Sequence, residues 1–175
     1  MPHYMKKKPI SVSYTEVKKS GSLEHAVDGF WNLVLHEYFT SSLDFGIVPQ
    51  RRPNDAVGLR ADLTIRHVRG DPAKFSTVMV FENKRREFEG RDGEWRQAFT
   101  QLTAYLLSVA KKQAPMTLYG AVAIGRYVRF YAMEAGDTLP RDLFPNTDSQ
   151  PYEVKDHEEE IHKILEWLVT ESQTS

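Results

Sequence analysis

The chain has 175 residues, with 23 Lys and Arg, 24 Asp and Glu, and no Cys, for a formal net charge of −1. A chain of this length usually forms one domain and buries roughly 70% of its unfolded surface. The lack of Cys excludes disulfides, thiolate zinc sites and a cysteine nucleophile. The near-zero net charge excludes a polybasic protein that holds nucleic acid by bulk charge alone.

The first 20 residues are polar and rich in Lys. We expect residues 1–20 to form a flexible basic segment, in which Val12, Tyr14 and Val17 could form a short packed stretch. Residues 21–172 are expected to form a single α/β domain.

The run from Lys6 to Lys8 could be a nuclear address or an arm that contacts phosphate, and a solvated tail is the simpler interpretation. No apolar signal region follows it, and no stretch approaches the roughly 20 apolar residues that span a bilayer. Together with the absence of Cys, these patterns predict an intracellular protein, nuclear or cytoplasmic, without membrane contact.

The first half of the chain predicts one helix and three strands. Apolar residues with a 3.6-residue period predict a helix from about residue 22 to Thr40. Residues 45–48 could form a short strand. Alternation predicts a strand over Leu59–Val68, after a turn-rich stretch, and the β-rich run Phe75–Phe81 is typical of a central strand covered on both faces.

The second half predicts two helices around a hairpin. A stripe of apolar residues predicts a helix over about 94–112. Residues 118–124 and 127–133 are strand-like and are joined by Gly125-Arg126, a hairpin signal. A last helix is expected over about 155–171. The order predicts an α/β fold in which a central mixed sheet is flanked by helices.

Two acids and a lysine are expected to converge on the central strands. Asp62 lies in the strand before the one that leads into Glu82, and Glu82 and Lys84 share a face because strand side chains alternate. Two carboxylates suit Mg²⁺, with water and substrate phosphate completing its octahedron. The ammonium could orient or deprotonate an attacking water, or neutralise charge on the phosphate.

This pattern resembles the PD-(D/E)XK nuclease superfamily, which has the restriction-endonuclease-like fold. Asp62 matches its first acidic position, Glu82-Asn83-Lys84 matches E-x-K, and the run Val78–Phe81 matches its central strand. The order α-β-β-β-α-β over roughly residues 20 to 133 fits its core, although Ala61 stands where the family motif has Pro.

The resemblance implies hydrolysis of phosphodiester bonds in DNA, or less readily RNA, with Mg²⁺ or Mn²⁺ as cofactor. Asp62, Glu82 and the main-chain carbonyl of Asn83 would bind the metal, and Lys84 would assist the attacking water. Glu24, on the apolar arc of the first helix, would tune that metal or hold a second one; it could instead be a first-turn acid that the helix dipole favours.

The second helix and the residues before it carry the expected substrate contacts. The resemblance assigns Gln101 and Tyr105, four residues apart, to positioning the scissile strand, although both could simply border the core. Basic residues after the E-x-K would line a phosphate-facing rim or could be solvated. These are Arg85, Arg86, Arg91 and Arg96.

Two other functions remain open from the sequence. A catalytically inactive member of the same fold would be a binding or scaffold module for nucleic acid or protein. An unrelated α/β interaction domain would make the E-x-K tripeptide a coincidence. A nuclease of this size would need a homodimer or a partner protein to supply specificity, because no appended domain is visible in the sequence.

Overall fold

A computed structural model describes residues 3–51 and 60–174, with the backbone alone at residues 50 and 51. The helices are α1 (Lys8–Lys18), α2 (Glu24–Tyr38), α3 (Asp92–Ala110) and α4 (Glu158–Thr174). The strands are β1 (Phe45–Arg51), β2 (Ala61–Arg69), β3 (Lys74–Lys84), β4 (Leu118–Ile124), β5 (Tyr127–Met133), β6 (Arg141–Asp142) and β7 (Tyr152–Glu153). Within the described ranges, none of the helices has the length and apolar content that crossing a bilayer requires.

The seven strands form one mixed sheet in the order β1-β2-β3-β4-β5-β6, with β7 also paired to β5. β1, β2 and β3 are mutually antiparallel, β3 and β4 are parallel, and β5 returns antiparallel to β4. A parallel pair needs a crossover connection, and α3 provides it. The predicted mixed sheet flanked by helices is therefore confirmed, and the segment from α2 to β4 has the order α-β-β-β-α-β.

Helices cover both faces of the sheet. On one face the core includes α1, α2 and α4, and the rings of Trp31 in α2 and Phe81 in β3 lie 5.0 Å apart. In the described part of the chain, α3 is the helix that packs on the other face, through residues such as Leu102 and Leu106. A Cβ at Gly120 in β4 would lie 2.8 Å from a methyl of Leu102, so glycine there lets α3 approach the sheet closely.

The N-terminal segment differs from the flexible tail expected for residues 1–20. Residues 8–18 form α1, and Ile10, Tyr14 and Val17 are buried while Val12 is 53% exposed. Their spacing of four and three residues puts one apolar stripe on the helix, which packs in the core beside α2. The folded domain therefore begins before residue 21.

The predicted elements match the observed ones most closely where strand signals are strong. The expected strands 118–124 and 127–133 coincide with β4 and β5, and the short strand at 45–48 is the start of β1. β3 runs beyond Phe81 to Lys84, so the whole E-x-K tripeptide lies inside a strand. Leu59 and the turn expected before it lie outside the described residues.

Candidate functional site

The strand register brings the two predicted acids together. Leu63 pairs with Phe81 across β2 and β3, so Asp62 faces Glu82 one step further along. Opposed residues of an antiparallel pair point to the same face, with Cβ atoms about 5 Å apart. Both side chains are buried, at 7% and 6% exposure. This is the face that α3 covers, because Thr64, two residues after Asp62, contacts Tyr105 of α3.

Lys84 completes this group from the same strand. It lies two residues after Glu82, and its Nζ donates a 2.9 Å hydrogen bond to Oε1 of Glu82. Burial by itself lowers the Lys84 pKa, but the hydrogen bond and the charge of Glu82 outweigh it, so the pKa is raised. Lys84 is thus an ammonium at neutral pH in the ion-free site, suited to donating hydrogen bonds and neutralising charge rather than to accepting a proton.

Asn83, between the two charged residues, connects three elements. Its main-chain N–H donates a 2.7 Å hydrogen bond to Oδ2 of Asp62 on β2. Its side-chain Nδ2 donates at 2.9 Å to Oδ1 of Asp28 on α2. The side chain is fully buried, and its Oδ1 has no hydrogen-bond partner among the residues that the structure describes.

The pKa values of both acids are raised above their ordinary values. Burial, and then the charge of Glu82, raise the pKa of Asp62 to about 7, against the opposing effect of the Asn83 hydrogen bond. Burial also raises the pKa of Glu82, with Lys84 acting in the opposite direction. Two buried carboxylates that repel each other favour either a proton or a cation between them.

Helix α2 brings two further acids towards these carboxylates. The charges of Glu24 and Asp28 both contribute to the raised pKa values of Asp62 and Glu82. Glu24 was expected from the sequence, but Asp28 was not. The signal for Asp28 was present, because residues four apart share a helix face and Asp28 follows Glu24 by four.

Helix α3 places its two predicted residues differently. Gln101 is exposed and lies one helical turn before Tyr105 on α3. Tyr105 contacts Thr64 of β2, and Gln101 lies on the side of that contact that is nearer to Asp62. Tyr105 is only 3% exposed, and its hydroxyl lies 3.4 Å from that of Thr64. Gln101 is therefore free to contact a substrate, whereas Tyr105 supports the β2 strand from within the core.

The basic residues after Lys84 do not form a uniform rim. Arg85 pairs with Glu87 at 2.5 Å and lies over the ring of Phe88, which Arg91 also contacts. Arg86 starts a short 3₁₀ turn beside the β4–β5 hairpin. Arg96 is exposed on α3 and lines a groove together with Arg129.

The donor set suits one hard divalent cation. Among residues 3–51 and 60–174, no group of three or more His, Cys, Asp or Glu side chains is arranged to hold a metal ion. Mg²⁺, however, is often held by one or two carboxylates with waters and substrate phosphates. Asp62 and Glu82 provide two carboxylates, and a cation between them would relieve the repulsion that, after burial, raises the Asp62 pKa. The residues present therefore fit such an ion.

Comparison with known protein-family models, with curated proteins and with solved structures finds no match to this chain.

Proposed function

We propose that this protein hydrolyses phosphodiester bonds of nucleic acid with the help of Mg²⁺ or Mn²⁺. The observation that carries the proposal is the juxtaposition of Asp62, Glu82 and Lys84 on adjacent strands β2 and β3. Two repelling buried carboxylates beside an ammonium cost stability, and active sites are where such costs are found. The resemblance of these residues to the PD-(D/E)XK pattern supports the same activity.

The residues have separate roles in this mechanism. A divalent cation, when bound, supplies a Lewis acid that stabilises charge on the phosphate. Asp62 and Glu82 would hold it, with the Asn83 carbonyl as a further oxygen donor. The Lys84 ammonium would orient the attacking water or donate to a non-bridging phosphate oxygen. The water oxygen forms the new bond to phosphorus, the bridging P–O bond breaks, and the leaving oxygen takes up a proton as the water releases one to solvent.

Substrate class and context belong to the same proposal. DNA is the favoured substrate, with RNA second, and Gln101 on α3 is the exposed residue best placed to contact the scissile strand. A homodimer or a partner protein would supply target choice. The absence of Cys supports an intracellular location, nuclear or cytoplasmic.

The first test is cleavage of single- and double-stranded DNA, and of RNA, by the full chain. We expect cleavage in Mg²⁺ or Mn²⁺ and none in EDTA. Asp62→Asn, Glu82→Gln and Lys84→Met should each lower the rate by about 100-fold or more, as removal of a single preorganised charge does in other active sites. Lys74→Met is the matched control, because Lys74 is exposed at the other end of β3, and it should cleave at the wild-type rate.

The inactive alternative gives a different pattern. A binding or scaffold module would cleave none of these substrates in either metal, and its melting temperature would not respond to Mn²⁺. That combination would overturn the proposed activity. Cleavage that survives all three substitutions would overturn it as well, because another site would then be responsible.

A further inference from the structure

A groove of about 610 Å³ lies on the α3 face of the sheet, between the start of α3, strand β5 and residues 140–151. Its lining includes Arg96 and Trp95 from α3 and Arg129 and Tyr131 from β5, but not Asp62, Glu82 or Lys84. It is therefore distinct from the acidic site.

The sheet register fixes where this groove lies relative to that site. Glu82 of β3 pairs with Val122 of β4, and Val122 pairs with Arg129 of β5. Paired residues point to the same face of the sheet, so Glu82, Val122 and Arg129 form one row across three strands on the face that α3 covers. Glu82 and Arg129 are two strand spacings apart, which is about 10 Å. Val122 between them is buried under α3. A nucleic-acid strand that passes round the start of α3 could reach both the acidic site and the groove.

Among the residues that the structure describes, two guanidinium groups in the groove have no acidic partner. Arg129 is half-buried, its Nε is buried without a hydrogen-bond partner among the described residues, and its guanidinium lies 5.5 Å from the centre of the Trp95 ring. Arg96 is exposed and likewise makes no ion pair within the described part of the chain. Arg126 differs, because Glu89 binds its guanidinium. The groove thus offers two cations and an aromatic ring to a ligand.

The remaining polar groups favour a base over bare phosphate. Three acids also line the groove: Glu89, which binds Arg126, and the exposed residues Asp92 and Asp142. Asp92 and Asp142 would repel a run of phosphates, but a carboxylate can accept hydrogen bonds from the exocyclic amine of a base. Arginine beside aromatic rings is the combination that holds unpaired nucleotides through stacking and phosphate contacts.

We propose that this groove binds an unpaired nucleotide of a single-stranded nucleic acid, one or two nucleotides from the bond that is cut. The second half of this statement rests on the proposed function, whereas the binding itself does not. Arg96 and Arg129 contact the phosphate, and Trp95 presents its ring to the base. The volume falls in the range of pockets for small ligands, which suits a nucleotide rather than a duplex.

The test is binding of a labelled octamer of deoxycytidylate, whose base carries an exocyclic amine, and of a blunt duplex in EDTA, where cleavage cannot interfere. Arg129→Gln and Arg96→Gln should each weaken single-strand binding by about 10-fold, the scale of one charge-assisted hydrogen bond. Each should also lower the slope of log affinity against log salt by about 0.7. Lys111→Gln is the matched control, since Lys111 is exposed about 22 Å along the α3 axis from Arg96, and it should change neither quantity.

A second readout uses the aromatic ring. Binding of the octamer should quench tryptophan fluorescence in the wild type, and Trp95→Phe should abolish most of that quenching while retaining binding. Quenching that is unchanged in Trp95→Phe would contradict the assignment. Displacement of the octamer by polyglutamate of equal charge would also contradict it, because the base would then contribute nothing.

The outcomes separate this inference from the proposed function. If Arg129→Gln loses affinity for the octamer while no cleavage is found under any condition, the groove assignment stands and the nuclease proposal fails. If Arg129→Gln and Arg96→Gln bind the octamer as the wild type does while cleavage is intact, the nuclease proposal stands and the groove assignment is overturned. Equal weakening of octamer and duplex binding also overturns it, because no unpaired base is then recognised.

Discussion

The main-chain N–H of Asn83 donates a 2.7 Å hydrogen bond to Oδ2 of Asp62, across the junction of β3 and β2. This bond holds the Asp62 carboxylate beside Glu82, even though the two acids repel each other. The Asn83 side chain extends the connection to α2 through Asp28. One fully buried residue therefore fixes both strands and a helix around the proposed site.

Replacement of Asp28 tests this connection. Asp28→Ala leaves the buried amide of Asn83 without its acceptor, which should lower the free energy of unfolding by about 1–3 kcal/mol. Asp28→Asn keeps an acceptor oxygen and should retain most of the stability. Urea unfolding of the two variants measures the difference, and equal stability would show that the Asp28–Asn83 hydrogen bond contributes little.

Protonation of Asp62 makes stability depend on pH. Its pKa of about 7 in the folded protein exceeds the ordinary value of 3.8, so the folded state binds this proton more tightly than the unfolded chain does. The free energy of unfolding should then fall as pH rises from about 4 to 7, and the raised Glu82 pKa acts in the same direction. In EDTA, Asp62→Asn should melt at a higher temperature than the wild type at pH 8 and show a flatter pH profile. Parallel profiles for the two proteins would contradict the assigned pKa.

Two glycine substitutions should have opposite effects. Gly125 has φ of +57°, and an added Cβ would lie 2.8 Å from the main chain of Arg86. Gly125→Ala should therefore destabilise the fold, by about 1–3 kcal/mol from the backbone conformation alone. Gly29 is exposed in α2 with no atom within 4 Å of an added Cβ, so Gly29→Ala should stabilise the fold by up to about 1 kcal/mol. Thermal unfolding checks both, and the expected signs, not the magnitudes, decide the matter.

The central strands and the pairing of Asp62 with Glu82 could be predicted from the sequence. A run of β-rich residues ending in Glu82, next to a strand with clear alternation, leaves few arrangements in which the acids do not meet. The spacing of Ile10, Tyr14 and Val17 also carried a helical signal, but the surrounding lysines made the segment resemble a solvated tail.

Other features depend on tertiary geometry that no local pattern encodes. The contact of Asp28 with Asn83 depends on how α2 crosses the sheet, so its place beside Glu24 on the helix was only a partial signal. The row from Glu82 to Arg129 requires the registers of two successive strand pairs. A half-buried arginine on an alternating strand looks like any solvated residue until those registers are known.

The most direct test of the account is a crystal of the full chain soaked in Mn²⁺ and measured at a wavelength where manganese scatters anomalously. We predict an anomalous peak about 2.0–2.6 Å from carboxylate oxygens of both Asp62 and Glu82, and its loss in crystals of Asp62→Asn. A map without a peak at these two residues, from a crystal whose carboxylates are ionised, would contradict the proposed metal site.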